Sequence, residues 1–178
     1  MKSIRIISRL DIKGPNLVKG IHLEGLRVLG KPSEFAVNKN GTDDCLPMGV
    51  NVDLDSPFVD NRGEIQPIVD RSIQSIVIIT SKKGTVRANH YHKTDWHYCF
   101  VQSGVIEYHH RPHGDDGPGE ILVFKKGDLF FTPPMVDHAM VFLEETTFLT
   151  MGRNSRSQEV YEADVVRVNY VDPETIKV

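Results

Sequence analysis

The sequence predicts an all-β sandwich or barrel with an N-terminal extension, and three observations carry that expectation. Short β-type runs follow one another after Ile65: "IQSIVIIT" (73–80), "TVRANHYH" (85–92), "HYCFVQS" (97–103), "VIEYHHR" (105–111), "EILVFKK" (120–126), "DLFFTP" (128–133), "AMVFLE" (139–144), "TFLTM" (147–151) and "EVYEADVVRVNYV" (159–171). The breaks between them hold Gly84, Gly104, "HGDDGPG" (113–119), Gly127 and Pro133-Pro134. No long amphipathic helical pattern appears after residue 36. Strands this short, separated by Gly/Pro turns, reverse the chain every few residues, as in antiparallel sheets packed face to face or closed into a barrel.

The stretches before the β runs differ in character. Residues 1–36 mix apolar and basic residues and read as an N-terminal extension. Residues 37–57, rich in Gly, Pro, Asn and Asp, read as turns or a linker, leaving 58–178 as the main domain. The chain is 39% hydrophobic and 25% charged, ordinary for a soluble globular protein. Its formal charge of −3 gives no general pull toward nucleic acid or anionic membranes, so any anion site must be local. Two cysteines, Cys45 and Cys99, cannot build a disulfide framework, and Cys99 in its apolar run reads as a buried free thiol. No apolar run approaches the roughly 20 residues of a membrane span. "MKSIRIISRL" is interrupted by Arg5 and Arg9 and makes a poor signal peptide, so a reducing cytoplasm is the expected compartment.

The chemistry concentrates in "NHYHKTDWHYCF" (89–100), which holds three of the eight histidines: His90, His92 and His97. Along a strand, residues two apart share a face, so His90 and His92 point the same way, as a metal pair or a catalytic pair requires. His97 follows a tight connection at the start of the next strand, where it can come alongside. His138 follows "TPPMVD" at the head of another apolar run. Imidazole suits zinc, iron and nickel, and four histidines in these places make a candidate divalent transition-metal site, with zinc, iron, nickel or manganese as occupant. His109, His110 and His113, at a strand end and in a Gly-rich loop, read as exposed.

These spacings resemble the cupin superfamily. Its first motif runs Gly, five residues, His-x-His, a short gap, Glu, six residues, Gly; here Gly84, His90-Tyr91-His92, His97 and Gly104 fall in the same places, with histidine for the usual glutamate. In the second motif Gly127, Pro133 and His138 match, while Met135 and Phe142 depart from the pattern. The likeness covers roughly residues 60–171 and implies a jelly-roll barrel, the cupin double-stranded β-helix. It says little of the reaction, since one fold hosts many. Four neutral imidazoles would leave an ion's double charge uncompensated, so such a site should attract anionic ligands and acidify bound water.

A narrower resemblance exists within that superfamily. "GTVRANHYH" (84–92) looks like the "G-x-x-R-G-x-H-Y-Q" stretch of the dTDP-4-keto-6-deoxyhexose 3,5-epimerases, cupins that work without metal. "FVDNRGEI" (58–65) and "FFTPPMVDHAMVFLEETTFLT" (130–150) extend the likeness in both directions. "RANHYHK" is nearer the "R-G-x-H-A-H-K" of the sugar-nucleotide 3,4-ketoisomerases, and "VYEADVVRVNYV" resembles their closing strand. The resemblance implies chemistry on a nucleotide-linked keto sugar. Arg62 and Arg87 would hold the diphosphate. His90 would take the proton beside the ketone, with His92 available to shuttle it. Trp96 is a candidate platform for a base or sugar, with core packing as the other reading. Strand alternation sets Arg87 and Tyr91 on the face opposite His90 and His92 unless a bulge intervenes. The stretch matching the epimerases' proton-donating tyrosine holds Thr150 and Met151 instead, which favours ketoisomerisation over full 3,5-epimerisation.

Residues 5–32, "RIISRLDIKGPNLVKGIHLEGLRVLGKP", resemble the first βα unit of the cyclase subunit of imidazole glycerol phosphate synthase, where the aspartate matching Asp11 does acid–base work. One unit of eight cannot close a barrel, so no cyclase activity is expected; an added strand, a cover for a sheet edge or a dimer contact fits better. The leading expectation is an isomerase- or epimerase-like homodimer acting on a nucleotide sugar, of surface-polysaccharide type. The alternatives are a metal-dependent cupin oxygenase or lyase, and a non-catalytic module that binds a sugar or an anion.

Overall fold

The computed structural model describes residues 11–13, 16–20, 26–30 and 46–178. The chain divides into two compact units, Met1–Leu46 and Pro47–Val178. In the first, β1 (Asp11–Lys13), β2 (Asn16–Gly20) and β3 (Leu26–Gly30) form an antiparallel three-stranded sheet in sequence order. Cys45 lies outside the described residues.

The second unit is a sandwich of two five-stranded sheets. It contains β4 (Asn51–Val52), β5 (Phe58–Asp60), β6 (Gly63–Ile65), β7 (Ser75–Ser81), β8 (Val86–His92), β9 (His97–Ser103), β10 (Val105–Pro112), β11 (Glu120–Lys125), β12 (Leu129–Thr132), β13 (Val136–Phe142), β14 (Thr146–Gly152) and β15 (Val165–Arg167). One sheet runs β11-β10-β13-β8-β15 and the other β4-β12-β9-β14-β7; β5 and β6 make a separate hairpin. Every pairing is antiparallel, and most predicted runs form strands within a few residues of their expected bounds. Within the stretch read as linker, Asn51–Val52 joins the second sheet at β12.

Alternation explains which face each strand buries. Along β7 burial switches residue by residue, leaving Ile76 and Ile78 exposed while Ile79 packs against the core. Between the sheets lie Cys99, Val101, Ile106, Tyr108, Phe124, Phe130, Met140, Phe142 and Phe148. Each fully buried Phe contributes about 1.5–3 kcal/mol by leaving water. β13 is buried over nearly its whole length because its outer face is covered too, Ala139 and Val141 packing on Val171 from the C-terminal segment. Gly104 makes the β9–β10 turn at φ 85°, where a Cβ would meet the Glu145 carbonyl at 2.5 Å.

Two local features depart from the sequence expectation. The stretch read as one strand over 159–171 instead forms a short helix, α1 (Gln158–Asp164), followed by β15. Glu159 sits in the helix's first turn, where its charge complements the exposed N–H groups. The second feature is a bulge in β8. Ala88 (φ 67°) and Asn89 (φ 53°) are both left-handed, and the register to β13 slips so that His138 faces His90 while Ala139 faces Ala88. Asparagine tolerates this conformation, and Asn89 uses it to clamp the C-terminal segment through both backbone groups of Val171, at 2.7 and 2.9 Å. Alanine does not tolerate it well. Ala88→Gly is therefore expected to stabilise the fold by about 0.5–1 kcal/mol, after the unfolded chain's gain in freedom offsets part of the relief. Urea unfolding would read this as a higher midpoint with unchanged slope.

Candidate functional site

The histidines come together between the two sheets at one end of the barrel. His90 and His92 lie on β8 and His138 on the neighbouring β13, directly across from His90. His97 opens β9 in the other sheet, reached through the corner at Lys93–Trp96. Ring centroids are 4.8 Å apart for His90–His92, 4.7 Å for His90–His138 and 4.6 Å for His92–His97. All four line a cavity of about 120 Å³, together with Arg87, Thr132, Thr150, Arg156 and Tyr161.

The bulge decides which neighbours join them. The extra residue reverses the alternation upstream, so Arg87 lies on the cavity side with His90 and His92. Its Nε donates to Ser81 Oγ at 2.7 Å and its Nη2 to the Thr80 carbonyl at 3.0 Å, which fixes the guanidinium at the cavity wall. Tyr91, beyond the bulge, stacks on His113 at 3.8 Å and stays off the cavity.

The ring nitrogens are held by specific partners. His92 Nδ1 donates to Asp164 Oδ2 at 2.9 Å, and His138 Nδ1 donates to the Val136 carbonyl at 3.0 Å. Each ring is thereby left with Nε2 as its lone-pair atom. Burial, and then repulsion by the neighbouring imidazoles and Arg156, pushes His90 down to about 2. Burial takes His138 down to about 3. Burial and the nearby His97 take His92 down to about 4, against the pull of the Asp164 and Asp95 carboxylates. At neutral pH the three imidazoles are uncharged, and the carboxylate contact makes His92 the most basic of them.

Asp164, the last residue of α1, was not singled out in the sequence. Its Oδ1 accepts from the Thr94 N–H at 2.8 Å and Thr94 Oγ1 at 2.7 Å, and its Oδ2 from His92 and from the Asp95 N–H at 3.3 Å. Burial alone would raise this carboxyl; those hydrogen bonds outweigh it and hold it below its ordinary value. Asp95 is the second residue missed. Its Oδ1 accepts from the Trp96 and Asn154 N–H groups at 2.9 Å each, and His97 Nε2 lies 3.1 Å from its Oδ2, off the line of a hydrogen bond.

Several expected site residues are placed differently. His97 is turned toward Asp95, so the histidines able to present one nitrogen each within 4.8 Å of one another are His90, His92 and His138, a set of three rather than four. Trp96 is 0% exposed, packed edge-on to Tyr98 with the Arg71 guanidinium 5.7 Å from its ring, and offers no face to a base or sugar. Arg62 lies in the β5–β6 turn, exposed and paired with Asp60, and does not line the cavity. His109 and His110, read as exposed, are half-buried, and His109 Nε2 is 2.7 Å from Glu107 Oε1. Cys99 is buried as expected, and burial pushes its thiol up to about 12, leaving it inert.

No family model matches the chain. Solved cupins of sugar-nucleotide chemistry share the architecture. A 3,4-ketoisomerase from Thermoanaerobacterium thermosaccharolyticum, a mutant in complex with TDP-4-keto-6-deoxyglucose, superimposes with a TM-score of 0.51 at 16% identity, over 66% of this chain and 84% of that one. A 3'-monoepimerase from Streptomyces bikiniensis in complex with dTDP-quinovose gives 0.55 at 15%, over 68% and 70%. A 3,4-ketoisomerase from Helicobacter canadensis gives 0.51 at 16%, over 66% and 87%. At this identity the likeness shows the fold, and the second unit has the cupin jelly-roll fold. Among curated proteins, imidazole glycerol phosphate synthase subunit HisF of Legionella pneumophila is 39% identical over 90 residues, which is 49% of this chain and 40% of that protein. The Lactococcus lactis subunit is 34% identical over 88 residues, 49% of this chain and 33% of that one. The chain thus spans less than half the length of the curated relatives it matches. Among the described residues no helix is long and apolar enough to cross a membrane.

Proposed function

We propose that the cupin unit is an isomerase- or epimerase-like enzyme acting on a nucleotide-linked keto sugar. The observation that carries this reading is the Ala88–Asn89 bulge, which brings a fixed cation, Arg87, into one cavity with His90 and the His92–Asp164 pair. Nε2 of His92 is the proton acceptor, held in the right tautomer by Asp164, with His90 beside it to share the proton. Removing the proton beside a ketone leaves an enolate, and Arg87 supplies positive charge near the same space for the substrate's phosphates. Size supports the division of labour. The cavity, at about 120 Å³, is too small for a whole nucleotide sugar. A wider cleft of about 560 Å³, lined by Lys82, Thr85 and Glu145 among others, shares Arg87 with it, so one ring enters the cavity while the remainder lies outside. The solved ketoisomerase that holds TDP-4-keto-6-deoxyglucose supplies the first compound to try.

Incubating the protein with that compound in deuterium oxide is expected to place solvent deuterium beside the ketone. His92→Asn should slow this by a factor on the order of 10⁴ or more, followed by proton NMR. Binding of several nucleotide sugars with no deuterium uptake would turn the reading into a sugar-binding module.

A second reading rests on the His90, His92 and His138 nitrogens, three imidazoles close enough to share one divalent transition metal. The hydrogen bonds from Nδ1 of His92 and His138 are the outer partners such ligands usually have. An ion there would polarise an oxygen ligand or generate hydroxide from bound water. Elemental analysis of protein purified without a metal-affinity tag separates the readings, because a nitrogen that coordinates an ion cannot also accept a proton. Near-stoichiometric metal would retire His92 and His90 as bases. The homodimer is proposed on Phe58, Val59 and Ile65 of the β5–β6 hairpin, which are exposed apolar residues that a second copy would cover.

A further inference from the structure

The strand that should carry a proton-donating tyrosine holds Thr150 and Met151, yet the cavity has a phenol. It is Tyr161, supplied by α1. Its ring centroid lies 6.3 Å from that of His90 and 6.0 Å from that of His92, edge-on to both. Among the described residues that line the cavity it is the one phenol; the other hydroxyls belong to Thr132 and Thr150. Thr132 Oγ1 is already bonded to Tyr108 at 2.9 Å.

The position of Tyr161 is built, not incidental. The segment that carries it is tied at both ends to the corner between β8 and β9. At the near end, the Asn154 N–H donates to Asp95; at the far end, Asp164 binds His92 and Thr94. Between these anchors the Arg156 guanidinium lies 4.2 Å from the Tyr161 ring centroid, fixing the ring from its face while Arg156 itself lines the cavity. One segment of chain therefore orients the histidine and presents the phenol.

We propose that Tyr161 is a catalytic residue, the acid that returns a proton to the sugar carbon; this rests on the keto-sugar reading above. In the first half, His92 Nε2 takes a proton from the carbon beside the ketone, the C–H pair becomes the new C=C bond, and the carbonyl π pair moves to oxygen. In the second half, the enolate C=C pair takes the Tyr161 O–H proton at carbon and the carbonyl re-forms. Solvent then reprotonates the phenolate while the imidazolium gives up its proton. No oxidant or other reactant is needed.

The test is Tyr161→Phe, which keeps the ring under Arg156. With TDP-4-keto-6-deoxyglucose in deuterium oxide, loss of substrate C–H is expected to stay within about threefold of the parent, while product epimerised at the carbon beside the ketone forms on the order of 100-fold more slowly. Exchange and product falling together, or neither falling, would overturn the assignment. A parent protein inert to every nucleotide sugar would instead remove the reading on which it rests, and the proposal with it. Should the Phe variant not fold, O-methyltyrosine at 161 serves in its place. It removes the O–H proton and should give the same split, exchange kept and product slowed, and product formed at the parent rate would overturn the assignment.

Discussion

Lowering the pH from 7 toward 4.5 is expected to remove about 4–8 kcal/mol of folding stability, before the carboxylates contribute. Three buried imidazoles cause it. His90, His138 and His92 are held at about 2, 3 and 4 in the folded chain, against an ordinary histidine value of 6.5. As pH falls through 6.5 the unfolded chain takes up three protons that the folded chain refuses. Each refused proton costs about 1.4 kcal/mol per pH unit until the folded value is reached. The loss thus begins near pH 6.5, ends for His92 near 4, and continues lower for the other two. Asp95 and Asp164, held below 3.8, lose their contribution only under more acidic conditions. A domain with about 5–15 kcal/mol in hand would unfold in this window. Urea titrations at pH 7, 6 and 5 give the number of protons from the slope. His138→Phe should reduce that slope by one proton, and stability unchanged between pH 7 and pH 5 would show that the rings accept protons in place.

The barrel was legible because its strands announce themselves: β7, β9 and β10 alternate or run apolar between Gly turns, and the runs have no helical period. What escaped notice turns on one residue each. "EVYEADVVRVNYV" alternates Val, Tyr and Ala well enough to pass for a strand, so its first six residues concealed α1 and, with it, Tyr161 and Asp164. An acidic residue at the heart of an apolar strand was the available signal. Asp95, within "KTDW", gave none, because the carboxylate's role depends on donors from Trp96 and Asn154 that only the fold brings near. The bulge was foreseeable only as a condition. Alternation put Arg87 on the wrong face, and the glycine that stands at the position of Ala88 in the motifs this stretch resembles was the hint that the backbone turns left-handed there. Trp96 takes the core-packing reading and not the platform one, a choice the sequence leaves open because a lone tryptophan beside histidines reads the same whether it faces a cavity or the core.

Replacing Asp164 should separate its structural role from its chemical one. Asp164→Ala leaves His92 Nδ1, the Thr94 N–H and the Asp95 N–H without their acceptor inside the protein, and is expected to cost about 3–5 kcal/mol of stability. Asp164→Asn keeps the shape and costs less, about 1–3 kcal/mol. Its effect on turnover should nevertheless be large. The carboxylate accepts at every position it uses, and an amide must donate at one of them. The Thr94 and Asp95 N–H groups cannot become acceptors, but the imidazole can, by moving its proton to Nε2. That exchange leaves the ring in place and takes away the lone pair that faces the reaction, so deuterium uptake should fall on the order of 10³–10⁴-fold while nucleotide affinity holds. Nitrogen-15 NMR of the imidazole would show the proton on Nδ1 in the parent and on Nε2 in the variant. A variant that swaps tautomer and keeps its rate would mean that His92 takes no proton, and that the histidines serve this cavity as ligands.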